Sequence, residues 1–232
     1  MVNTHISLLP RAFEAEADVD DLEIDASLSA PSLVEAERLM ELGGVEQAQG
    51  NVEAAIQCVR TALDTFQKLG DITCEARAMG NLGSLYRTQG RYQDAIDFYR
   101  RAIELTRELG DRRVEGIHLG NLGATYQAKG QYDRAAASLK QAVDTARSVG
   151  DRRIEGINLG SLGGVYQGQG QHEQAIGLLT TALEIAREVG DRRNEGINMG
   201  NLGTSFFRLS RFEKAEDALR TAIPICNHAS PM

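Results

Sequence analysis

Between residues 111 and 150 the apolar positions fall on two helical stripes separated by a glycine. Arg112 to Lys129 carries Leu119, Leu122 and Tyr126 on one face, and Asp111 before it suits an N-cap. From about Tyr132 onward, Ala135, Leu139, Ala142, Val143 and Ala146 share a face of a second helix. Gly130 breaks the first helix, and Gly150 suits the left-handed position that follows the second. The pattern predicts two antiparallel helices and a short turn, a unit that buries its apolar faces only when copies are stacked.

Copies are present at a fixed step of 40 residues. Gly80-Asn81-Leu82-Gly83 returns at Gly120 to Gly123 and Gly200 to Gly203, with Gly160-Ser161-Leu162-Gly163 between them. The Gly-Asp pairs beginning at Gly70, Gly110, Gly150 and Gly190 keep the same step, as do Glu75, Glu115, Glu155 and Glu195. A period of this size marks a repeat architecture. Leu42, Leu82, Leu122, Leu162 and Leu202 are expected to form one buried column. Gly43, Gly83, Gly123, Gly163 and Gly203 form a second, facing Ala55, Ala95, Ala135, Ala175 and Ala215 so that helix backbones approach closely. Tyr86, Tyr126, Tyr166 and Phe206 fill the space between units, and Ala62, Ala102, Ala142, Ala182 and Ala222 complete the set.

Five units are expected, at about 32–70, 71–110, 111–150, 151–190 and 191–226, with a tail at 227–232. Ser32-Leu33-Val34-Glu35 after Pro31 has the form of a capping box and starts the first helix. The end units are atypical, as solenoid ends are. Glu46 and Val52 replace aromatic residues in the first, whereas the last has Ser210 for the turn glycine and is expected to stop at Pro224. Ile223, Ile225 and Cys226 leave that end without an obvious polar cap, so the face is expected to be truncated, covered by something, or sticky, the last implying a homo-oligomer through the C-terminal end.

These columns resemble a tetratricopeptide repeat array of 40-residue units over about residues 34–224. The resemblance implies an all-α, right-handed α-solenoid whose first helices line a concave groove. In such proteins an asparagine in this column hydrogen-bonds the backbone of an extended peptide, so Asn81, Asn121, Ser161 and Asn201 become peptide-binding candidates. An amide serves a peptide unit because it offers both donors and an acceptor. One turn earlier stand Arg77, Ile117, Ile157 and Ile197, followed by His118, Asn158 and Asn198. Repeat domains that grip chaperone C-termini surround the asparagine with several basic residues. Here Arg77 and Arg87 supply only a basic spot, and a two-carboxylate clamp is not expected. The half-apolar, amide-lined groove is similar to LGN/Pins-type scaffolds, which implies an acidic-apolar extended partner. Gly-Asp-Arg-Arg units also resemble prokaryotic tetratricopeptide repeat signalling arrays.

Composition narrows the remaining chemistry. The chain has 232 residues and a net charge of −8, which argues against a nucleic-acid partner. Seven acids against one base lie between Arg11 and Asp25, so residues 1–31 read as an acidic, disordered leader. Leu22, Ile24 and Leu28 among those acids raise the further expectation that the leader docks in the groove. No run approaches a membrane span. Three cysteines without metal-ligand spacing fit reduced thiols and a cytoplasmic location. His5, His118, His172 and His228 make no metal motif, and the Gly-x-x-Gly stretches lie within helices, so no phosphate loop is expected. Arg112/Arg113, Arg152/Arg153 and Arg192/Arg193 form a solvated ridge, with Arg112 and Glu115 spaced for a local ion pair.

The sequence therefore points to a non-enzymatic adaptor without metal, catalytic residues or cofactors, binding a protein or peptide in a groove. The alternatives are a self-associating assembly module and a regulatory arm of a larger signalling system.

Overall fold

The computed structural model describes residues 32–228, with side chains through Ala222. Expectations about the leader, about Ile223, Ile225 and Cys226, and about the tail's side chains lie outside this range. The described residues contain ten α-helices and no strand. They are α1 (Leu33–Ala48), α2 (Val52–Leu69), α3 (Ile72–Thr88), α4 (Tyr92–Glu108) and α5 (Arg112–Ala128). The second half comprises α6 (Tyr132–Ser148), α7 (Arg152–Gly168), α8 (His172–Glu188), α9 (Arg192–Arg208) and α10 (Phe212–His228). Contrary to expectation, α10 runs through Pro224 to His228; an interior proline removes one hydrogen bond and crowds the carbonyl four residues back, which can kink a helix without ending it.

The Gly-Asp pair ends one helix and begins the next. Gly110 has φ 69°, its N–H donates to the Arg107 carbonyl, and the Asp111 N–H donates to the Thr106 carbonyl. This pair of bonds is a Schellman closure, and glycine adopts its left-handed geometry without a Cβ clash. The Asp111 carboxylate then accepts from the Val114 N–H at 3.0 Å and caps α5. Asp71, Asp151 and Asp191 repeat the cap. The bond from the Ile154 N–H, with Arg113 beside it, holds the Asp151 carboxyl below its usual range. At the turns inside units, Gly50, Gly90, Gly130 and Gly170 are left-handed, and Ser210 takes the same conformation at φ 59°.

Odd and even helices do not contribute equally to the stack. Each helix packs on its neighbours in sequence, but α3 also touches α5, α5 touches α7, and α7 touches α9. Among the described residues, even-numbered helices make no comparable approach to one another. The odd helices therefore crowd together on the inner side of the curve, and their free faces form its concave wall.

The leucine column is buried from Leu82 to Leu202, whereas Leu42 is exposed, because no preceding unit covers α1 among the described residues. The glycine column also differs in detail from the expectation. The carbonyl oxygens of Ala55, Ala135, Ala175 and Ala215 do lie opposite, but the closest atoms belong to the residue one turn later. A Cβ on Gly123 would lie 2.6 Å from Leu139 Cγ, and one on Gly83 would lie 2.8 Å from Tyr99 Cε1. Each glycine thus makes room for a large core side chain as well as for a close backbone.

Candidate functional site: the concave wall

The odd helices present two rows toward the groove. Ile117, Ile157 and Ile197 stand at one position of α5, α7 and α9, with 37%, 40% and 46% of their surface exposed. One turn on, Asn121, Ser161 and Asn201 are half-buried, and Asn81 of α3 is exposed. Exposed isoleucine on a well-packed helix is notable here because it recurs in register and borders hollows. Ile117, Asn121, Ala124, Ile154, Ile157 and Ser161 line a hollow of about 240 Å³ between α5 and α7. A second hollow of about 240 Å³ follows between α7 and α9, edged by Gln127, Ile157, Ser161, Ile197 and Asn201. The two share Ile157 and Ser161 and so run on from one another along the wall.

The neighbouring row lies deeper than the sequence suggested. His118, Asn158 and Asn198 are buried, with only 3% of each asparagine exposed. They fit into notches left by the glycine that precedes the amide row in the preceding unit. A Cβ on Gly80 would fall on the His118 ring, on Gly120 on the Asn158 amide, and on Gly160 on the Asn198 amide. This explains the in-helix glycines at 80, 120 and 160. Asn158 and Asn198 still edge the floors of the two hollows. The His118 ring has both nitrogens buried without a partner and lies 6.5 Å from the Tyr99 ring. Burial pushes its pKa down to about 4, against a smaller opposing pull from Asp111.

The expected basic spot divides in two. Arg77 is exposed and its guanidinium reaches Cys74 Sγ at 3.4 Å. Arg87 lies ten residues further along α3, about 15 Å away at 1.5 Å per residue. Its buried Nε has no partner, and the guanidinium sits by the Tyr99 hydroxyl, partly offsetting the rise that burial imposes on that phenol. The equivalent Gln127 edges the second hollow, whereas the Gln167 amide donates to the Asn201 carbonyl at 2.6 Å and to Ser205 Oγ at 2.7 Å. The sequence reading did not single out Ala124, Ile154, Gln127 or Gln167. Ala124 and Gln127 lie seven and ten residues beyond Ile117, so helical spacing could have found them.

The arginine pairs are exposed, as a solvated ridge requires, and the expected Arg112–Glu115 pair is one of a larger set of ion pairs. Glu115 is buried and accepts from Arg107 Nε at 2.6 Å and Arg112 Nη1 at 2.7 Å. Glu155 and Glu195 repeat the arrangement with Arg147/Arg152 and Arg187/Arg192. Bonds from Arg187, then Arg192, hold the Glu195 carboxyl below its usual range despite its burial. The second arginine bridges units, Arg113 to Asp151 at 2.9 Å and Arg153 to Asp191 at 3.1 Å. Among the described residues, no group of three metal-capable side chains assembles and no helix is long and apolar enough to cross a membrane.

Comparison with known proteins agrees with this architecture. Two family models described as tetratricopeptide repeat match, one at residues 35–108 and 153–228 and the other at 119–153. They support the repeat family, without supporting the finer likeness to LGN/Pins-type scaffolds. No curated protein matches by sequence. Among solved structures, BtubC from P. vanneervenii is 22% identical with a TM-score of 0.73, over 91% of this chain and 94% of that one. A Rap protein complexed with competence and sporulation factor is 16% identical with a TM-score of 0.74, over 84% and 55%. A signal transduction ATPase with numerous domains from Pyrococcus horikoshii, which has a tetratricopeptide repeat sensor, is 19% identical with a TM-score of 0.75. The match covers 88% of this chain and 32% of that protein. At these identities the likeness is one of fold.

Proposed function

Because this chain belongs to the tetratricopeptide repeat family, we propose that it is a non-catalytic adaptor that holds an extended protein segment along its concave wall. The reading is carried by one observation: an exposed isoleucine row beside an amide row, over two consecutive hollows. A peptide in extended form repeats its side-chain direction every second residue. Apolar side chains of such a segment suit the hollows edged by Ile117, Ile157 and Ile197. Its backbone N–H and C=O groups suit Asn81, Asn121 and Asn201, and the Ser161 hydroxyl. His118, Asn158 and Asn198 support this wall from beneath, and only the edges of the two asparagines reach a bound chain. Arg77 favours an acidic residue toward the α3 end, with the modest, salt-sensitive strength of an exposed charge. A cytoplasmic location fits this role.

Panning a phage-displayed random peptide library on the full chain tests the proposal. Enriched peptides should lose binding to Ile157→Glu and to Asn121→Ala with Asn201→Ala, and keep it with Lys140→Glu on α6. Absence of enrichment, or enrichment indifferent to the groove variants, would overturn it.

Self-association is a second role, carried by different residues. Phe207, Phe212 and Leu219 of the last unit stay exposed, and the Phe207 and Phe212 rings meet edge to face with centroids 5.7 Å apart.

A further inference from the structure

Side-chain pairs join several consecutive units, two kinds of them at recurring sequence offsets, although Thr180 and Leu209 leave both unmade at the last seam. The Gln167 amide donates to Ser205 Oγ, 38 residues on. Arg60 and Arg100 donate to the hydroxyls of Tyr86 and Tyr126, 26 residues on, and Lys140 stands over the Tyr166 ring at the same offset. The amides of Gln89 and Gln169 donate to the carboxylates of Glu53 and Asp133, 36 residues back. At the C-terminal end the first members of these three pairs are Phe207, Arg220 and Glu213, all exposed. Carrying each offset forward and returning by five 40-residue periods lands on Val45, Glu46 and Gln49 of α1. Val45 and Gln49 are exposed and Glu46 is half-buried.

The two ends depart from the inner units in matched ways. A polar pair, Gln167 with Ser205, becomes an apolar one, since Phe207 is 59% and Val45 51% exposed. A cation on a tyrosine becomes a cation on a carboxylate, Arg220 with Glu46. The carboxylate and amide pair is kept as Glu213 with Gln49. Leu42 and Leu219, whose inner counterparts are buried, are exposed at opposite ends. Two inner contacts have no counterpart, because Pro31 stands where Arg193 would need an aspartate and Arg38 where Gly200 would take a small amide.

We propose that the α9–α10 end of one copy stacks on α1 of a second copy in the register of consecutive units. This deepens the self-association role and does not depend on groove binding. Phe207 and Leu219 cover Val45 and Leu42 of the second copy, Arg220 pairs with its Glu46, and Glu213 accepts from its Gln49. Charge complementarity fixes the register, while the apolar pairs supply the buried surface. The contact uses different faces on the two copies, so copies add head to tail and the assembly grows with concentration.

Sedimentation equilibrium on the full chain, with helicity checked by circular dichroism, tests this. Wild type should gain mass with concentration. Val45→Asp with Glu46→Arg blocks one end and Phe207→Asp with Arg220→Glu blocks the other, each weakening association about tenfold or more. Both pairs change exposed or half-buried residues, so the fold is retained. Mixed together, the two variants still hold one intact end each and should form a heterodimer and nothing larger. Ile157→Glu, which disables the groove, should leave assembly unchanged. A wild type that stays monomeric throughout would overturn the proposal. So would a mixture without heterodimer, or association undiminished by either blocking pair.

Discussion

The seam between α3 and α5 and the seam between α5 and α7 are built on one plan and filled with different chemistry. In both, a glycine opens a notch for a polar side chain of the next unit. At Gly80 the occupant is the His118 ring, buried with both nitrogens unpartnered. At Gly120 it is Asn158, whose amide edges a hollow in the groove. The notch therefore selects a planar side chain of limited bulk, and where no path to the groove exists its occupant is held uncharged. A dry notch can hold a histidine only in its neutral form.

Acid should separate the two seams most strongly. His118 has a folded pKa near 4 against an ordinary value of 6.5. Both states are neutral above the ordinary value, so the seam feels no penalty there. As pH falls through 6.5 the unfolded chain takes up the proton first, and stability is lost progressively until about pH 4. The full loss is up to about 3 kcal/mol. Urea midpoints for wild type and His118→Asn across this range should diverge, with the variant losing less. Parallel curves would show that the ring is not held neutral by its surroundings.

Alanine along the notch column grades the comparison. Gly80→Ala drives a methyl into a buried ring with nowhere to turn, and should destabilise by about 1–3 kcal/mol. Gly120→Ala meets an amide that can swing toward the hollow and should cost less. Gly200 faces nothing within 4 Å among the described residues. Gly200→Ala should instead stabilise by about 0.5–1 kcal/mol, because alanine is the better helix former. Equal effects at all three positions, read from urea midpoints at pH 7.5, would dissolve the distinction between filled and empty notches.

The smallest effect comes from the turn of the last unit, where Ser210 takes the left-handed conformation that glycine takes in the other four. A non-glycine residue there carries strain of about 1 kcal/mol. Ser210→Gly relieves it while loosening the unfolded chain, and should stabilise by a few tenths of a kcal/mol. A lower melting temperature would mean that the serine contributes more than its backbone geometry implies.

Much of this architecture was legible in the residues. Helix pairs, their period and their turns follow from 3.6-residue spacing and from left-handed glycine, both of which act within a few residues of chain. The Gly-Asp pair is the clearest case, since Gly110 and Asp111 close one helix and cap the next with no help from distant parts. The columns at Ile117 and Asn121 stood out through their recurrence, while their place on a groove was implied only by the family resemblance. Residues 1–31 contributed composition only.

Which side of each odd helix faces the next unit was not a local matter. Ile157 and Asn158 are adjacent, and their side chains leave the helix about 100° apart. Transfer energy alone would bury the isoleucine and expose the asparagine. The stack does the reverse, because the odd helices meet across Gly120 and that notch admits a flat amide but not a branched side chain. The exposed face of Ile157 is what remains once the seam has taken its neighbour. Sequence fixed the positions able to occupy the seam, and the rotation of each helix against the previous unit decided which one entered it.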